Sequence, residues 1–171
     1  FIGICLRAVE IFKIIMRSSH LDSSSLSVKG DYKLSVERED DESQIIHITH
    51  GYSKDKRPDL KQFVLNLVCW GDGDIPAFLE LGDGNKSDKK EFAEIFRKFN
   101  KQWQFEGLHI TDSALYSADN LQKLIGIHWL CSVPKTMREV QDVLSQLTSE
   151  QFIKTDLDGY RISSVESEYG G

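Results

Sequence analysis

The sequence predicts an α/β domain with a mixed central sheet flanked by helices. Three observations predict it. β-forming runs alternate with helical ones after an initial hairpin, the order from which α/β domains are built. Phe92, Ile95, Phe96, Phe99 and Trp103 fall at i, i+3, i+4, i+7 and i+11, the apolar stripe of one amphipathic helix. Two aspartates, Asp22 and Asp112, sit where strands should meet solvent, one before the hairpin and one after the helix.

The elements follow in order. Ile4, Ala8, Ile11, Phe12 and Ile15 form a helical stripe within residues 2–17. His20 to Val28 is strand-like, and Gly30-Asp31 supplies a turn. The acidic run Glu37 to Glu42 predicts a solvated loop, and β-branched Gln44 to Thr49 a short strand. Phe63 to Trp70 and Ile75 to Leu81 are joined by Gly71-Asp72-Gly73-Asp74, a strong hairpin signal. Ser87 is placed to cap the Phe92 to Trp103 helix. Leu108 to Thr111 is the strand leading to Asp112, and Ser117 caps the next helix with Tyr116 and Leu121 as a hydrophobic staple. Ile127 to Val133 predicts a buried strand ending at Pro134. Thr136 to Glu139 reads as a capping box before Val140, Val143, Leu144 and Leu147, and Tyr160 to Val165 as a late strand. Trp70, Trp103, Phe96, Leu65, Leu67, Phe78, Leu79 and Ile110 are expected to form much of the core.

At 171 residues and 40% hydrophobic, the chain can bury one ordinary core. A net charge of −6 and a pI near 5.4 weigh against a nucleic-acid binder, which is usually basic. The charge is uneven, however. Acids concentrate in Glu37 to Glu42, whereas Lys54, Lys56, Arg57 and Lys61 cluster in one loop. Cys5, Cys69 and Cys131 are odd in number and far apart, which predicts free thiols in a reducing cytoplasm. No apolar run approaches the roughly 20 residues that span a bilayer, so no membrane partner is expected.

Strand with aspartate, hairpin, helix, strand with aspartate is the wiring of a ribonuclease H-like fold. In that fold two carboxylates on neighbouring central strands hold divalent ions for phosphodiester chemistry. An aspartate in a β-forming run is unfavourable unless its charge finds a partner, and a metal ion is one such partner. The alternative is local: Asp22 turns through its serine neighbours, and Asp112 starts the loop before Ser117. Lys54, Lys56, Arg57 and Lys61 suit either phosphate contacts or a solvated loop salted with Asp55 and Asp59. His47 and His50 are three apart, which on a strand sends them to opposite faces and disfavours a zinc pair. No Gly-x-Ser-x-Gly elbow is present for a hydrolase triad, and Gly82-Asp83-Gly84-Asn85 lacks a P-loop's lysine-serine ending.

Four motifs carry a family resemblance. His50-Gly51-Tyr52-Ser53-Lys54-Asp55-Lys56-Arg57-Pro58-Asp59-Leu60-Lys61-Gln62 resembles the signature loop of DDE transposases of bacterial insertion sequences, in the subgroup with a β-rich insertion before the last glutamate. His20-Leu21-Asp22-Ser23-Ser24-Ser25 resembles that family's first-aspartate strand, and Gly84-Asn85-Lys86-Ser87-Asp88 its helix start. Thr111-Asp112-Ser113-Ala114-Leu115-Tyr116 resembles its second-aspartate segment. The resemblance covers about residues 18–171, with the motifs in family order. It implies nicking of transposon-end DNA and strand transfer to target DNA, with Asp22 and Asp112 as catalytic metal ligands. It further implies Mg²⁺, with Mn²⁺ as substitute and two ions in the complete enzyme, and double-stranded DNA as partner. It is compatible with a homodimer.

The expected organisation is a helix ending a preceding domain at 1–17, a ribonuclease H-like core at 18–147 and the start of a β-rich insertion at 148–171. The family's third carboxylate is a glutamate beyond that insertion, so the sequence reads as a fragment that is inactive alone. The alternative is an inactive remnant that folds and binds DNA or a full-length transposase. Glu139 could imitate the third acid, but its place in the capping box is a sufficient explanation. Glu166 and Glu168 are weaker candidates still.

Overall fold

The computed structural model describes residues 1–32 and 45–166, the side chains of residues 88–90 excepted. In chain order the elements are α1 (Ile2–Phe12), β1 (Ser18–Val28), β2 (Lys61–Trp70), β3 (Pro76–Asp83), α2 (Asp88–Trp103) and β4 (Leu108–Thr111). A 3-10 turn at Ser113–Leu115 leads to α3 (Ala118–Lys123), β5 (Trp129–Cys131) and α4 (Arg138–Gln146). A short hairpin, β6 (Ile153–Lys154) with β7 (Arg161–Ile162), follows.

Five strands form one mixed sheet in the order β3-β2-β1-β4-β5. β1 runs antiparallel to β2, and β2 to β3, as the Asp-Gly turn dictates. β4 lies parallel to β1, and β5 to β4, because helices carry the chain back between them. The result is the ribonuclease H-like fold that the order of elements predicts.

α2 covers one face of this sheet. Its Phe92, Ala93, Ile95, Phe96 and Phe99 are buried with Leu21, Val68, Trp70 and Ala77 of the strands. Trp70 is the hub, meeting Phe99, Trp103 and Phe105 edge to face at ring separations of 5.2, 5.3 and 5.2 Å. α1 joins the same cluster through buried Cys5 and half-buried Val9, while Ile4, Ile11 and Phe12 of the expected stripe stay exposed.

The other face of the sheet is open among the described residues, and here the expected core is corrected. Leu79 is 42% exposed, and Leu65, Leu67 and Ile110 are only half-buried. All four alternate with residues that face α2, so they point away from the cluster that holds Trp70 and Phe96. Other local expectations also change. Residues 45–48 form no strand, and only Thr49 pairs, with Gln62. The expected Ile127 to Val133 strand shrinks to three residues at the sheet edge, with Leu130 exposed. Ser87 makes no side-chain cap, and the N-cap position of α4 falls on Met137, which makes none either, so the Thr136 box does not form. A capping box forms instead at Thr148 and Gln151. The acidic run at 37–42, together with Glu168 and residues 169–171, lies outside the described residues.

Candidate active site

The parallel pairing of β1 with β4 decides the geometry of the two aspartates. Ser18 pairs with Leu108, Ser19 with His109 and His20 with Ile110. Continuing that register by two residues sets Asp22 level with Asp112. The strands stay together up to this point, because Thr111 Oγ1 donates to the Leu21 carbonyl at 3.0 Å. Leu21 and Ser23 on one strand, and Thr111 on the other, are buried towards α2. Alternation therefore turns both aspartates to the open face, where both are exposed.

Each carboxylate makes one local bond. Asp22 Oδ1 accepts from the Ser23 amide at 2.8 Å, and Asp112 Oδ1 from the Ala114 amide at 2.8 Å, capping the 3-10 turn. Those bonds leave Oδ2 of each without a hydrogen bond among the described residues. The charge of Asp112 is felt across the next strand pair. Burial first, and Asp112 second, push the Cys131 thiol up to about 11.

Two carboxylates with oxygen donors alone are a donor set that suits Mg²⁺, which keeps several waters and needs few protein ligands. Among the described residues, no group of three or more His, Cys, Asp and Glu stands together. Glu139 lies exposed on α4, an element with no buried residue.

Behind the aspartates, residues 47–52 are laced to the β3–α2 turn. The Gly84 amide donates to the His47 carbonyl at 2.9 Å, and the His47 amide to Asp83 Oδ1 at 2.8 Å. Gln62 Nε2 donates to the Tyr52 carbonyl at 3.1 Å and to the Gly84 carbonyl at 2.7 Å, binding both segments to β2. Two glycines permit this approach. A Cβ on Gly51 would lie 1.9 Å from the Gly84 oxygen, and one on Gly84 would lie 2.0 Å from the Gln62 oxygen.

The basic residues of the loop lie around this crossing. Lys54 Nζ donates to the Ser23 carbonyl, and Lys61 Nζ to the Asp31 carbonyl. Arg57 grips Asp59 with two bonds of 2.8 and 2.6 Å and holds that carboxyl down at about 2. Lys56 is exposed, with a left-handed backbone. His47 and His50 are exposed in an irregular segment, so the strand argument used against their pairing does not apply.

Sequence reasoning missed the residues that fix this frame. Gln62 gives no local signal, because its acceptors are the Tyr52 and Gly84 backbone carbonyls, brought beside it only by the fold. The serines after Asp22 read as turn formers, yet Ser23 is buried within β1.

No protein-family model and no curated protein matches the chain. Solved structures do. The Mos1 transposase paired-end complex with left transposon end is 14% identical over 76% of this chain and 40% of its own, at a TM-score of 0.43. The piggyBac transposase synaptic complex with hairpin DNA is 13% identical over 81% of this chain and 28% of its own, at a TM-score of 0.50. The chain thus spans less than half the length of these neighbours. At such identities the likeness is one of fold, and the piggyBac superposition carries it.

Proposed function

We propose that this chain is the catalytic core of a DDE-type transposase of the insertion-sequence kind, acting on double-stranded DNA. The observation that carries the reading is the register that sets Asp22 level with Asp112 on adjacent parallel strands. Two exposed carboxylates side by side, Asp22 within β1 and Asp112 just past the end of β4, are what phosphodiester chemistry with divalent ions requires. Asp22 and Asp112 would hold Mg²⁺, which when bound neutralises phosphate charge and activates a water or a 3′-hydroxyl. The chain's own contribution is to fix the two carboxylates through the β1–β4 pairing and to leave them open to a DNA strand. Lys54, Lys56, Arg57 and Lys61 offer charge for its phosphates. Among the described residues no third acid groups with this pair.

Calorimetric titration with Mn²⁺ tests this reading. The wild type gives a binding isotherm, and Asp22→Asn weakens it at least about tenfold, as expected on losing a charged ligand. An isotherm unchanged by the substitution would reduce both aspartates to turn-forming residues, the role their local amide bonds also allow.

A further inference from the structure

A cavity of about 270 Å³ opens on the α2 side of the sheet, behind the aspartates. Its wall comes from all four motif segments: Ser23 and Ser25 of β1, Tyr52 and Lys54 of the loop, Lys86 and Ser87 at the start of α2, and Ala114 beyond Asp112. We propose that it seats one backbone phosphate of the DNA strand, flanking the phosphate held at the aspartates. This deepens the DNA-handling reading above and rests on it for the identity of the ligand.

Three independent features point to an oxyanion. Ser23 is 3% exposed, lines the cavity and has no hydrogen-bond partner for its hydroxyl among the described residues, and the same holds for the Ser25 hydroxyl. A buried hydroxyl left unpaired is unfavourable, so such groups ordinarily mark a missing partner. The second feature is α2 itself, 16 residues long, whose first amides have no intrahelical acceptor and whose Ser87 makes no side-chain cap. Charge is the third. Lys54 and Lys86 line the cavity and, among the described side chains, no carboxylate does, although Glu91 pairs with Lys86 at 3.3 Å. Lys54 is steadied by its bond to the Ser23 carbonyl, which keeps it at the rim.

Alternation along β1 explains why this is a flanking site. Asp22 faces the open side of the sheet and Ser23 the α2 side, so the cavity and the carboxylates lie on opposite faces of β1, level with the end of β4. A DNA strand passing the end of β4 meets a carboxylate pair on one side of β1 and an anion seat on the other.

The test measures binding of a short fluorescein-labelled DNA duplex by anisotropy in EDTA, across a salt series. Lys86→Gln and Ser23→Ala should each weaken binding about fivefold, and Lys86→Gln should lower the log–log salt slope by about one. Lys101→Gln, the same charge change at the far end of α2, should leave both nearly unmoved. Thermal unfolding of each variant separates misfolding from lost contact, and Lys86→Arg should restore most of the affinity. No binding by the wild type, no effect of Lys86→Gln and Ser23→Ala in folded protein, or an equal effect of Lys101→Gln, would each overturn the proposal. Mn²⁺ calorimetry on the same variants keeps the two readings apart. An intact isotherm beside an unaffected duplex affinity sinks the phosphate seat alone, whereas a lost wild-type isotherm sinks the aspartate reading.

Discussion

His109 sits in the middle of the sheet with no measurable exposure and both ring nitrogens engaged. Nδ1 lies 2.6 Å from Ser19 Oγ and Nε2 2.7 Å from Asn100 Oδ1. A neutral ring with its hydrogen on Nε2 donates to Asn100 and accepts from Ser19, which ties β4 to both β1 and α2. Phe96 packs against the ring at a separation of 4.3 Å, and burial holds its pKa down at about 4. The sign of the pH effect follows. Between about pH 6.5 and 4 the unfolded chain binds the proton more tightly, so stability falls as the pH drops through that window. Urea unfolding should show a loss on the order of 2–3 kcal/mol between pH 7 and pH 4, with a clearly shallower dependence in His109→Gln. His109, within the expected strand Leu108 to Thr111, is a satisfied core residue. Its partners were not legible, since Ser19 lies 90 residues away and reads only as part of a polar strand start.

Among the elements, the crossing of residues 47–52 over the β3–α2 turn depends on backbone meeting backbone. Gly84→Ala would drive a methyl to 2.0 Å from the Gln62 oxygen and 2.5 Å from the Thr49 oxygen, and neither carbonyl can swing away as a side chain would. Destabilisation of about 2–3 kcal/mol by urea unfolding is expected. Gly126→Ala, where nothing stands within 4 Å but φ is +82°, should be milder, at about 1 kcal/mol. The α2 helix was legible because five apolar residues at helical spacing allow one burial solution. The loop crossing was not, because Gly51 and Gly84 look like ordinary turn glycines until the fold brings their backbones together. Capping motifs misled for a related reason. A Thr-x-x-Glu pattern signals a helix start, but Pro134 and the N-cap position at Met137 set where α4 begins.

For the molecule as a whole, the decisive property is the difference between the two faces of one sheet. Phe96→Ala, in the packed face, should cost about 3–5 kcal/mol in urea unfolding. Leu79→Lys, on the open face, should change stability by less than about 1 kcal/mol. β2 hid this contrast, because Phe63, Leu65 and Leu67 alternate with Val64 and Val68, so both faces are apolar and period two cannot say which one α2 covers. The side-by-side placement of the Asp22 and Asp112 strands was legible for the opposite reason: the order of elements fixes which strands are neighbours. Mn²⁺ soaked into crystals of the chain and located by anomalous diffraction tests the central claim most directly. A shared metal centre predicts an anomalous peak about 2.1 Å from oxygens of both Asp22 and Asp112. Carboxylates more than about 10 Å apart, with no peak between them, would contradict it, since ligand bonds of that length cannot span the gap.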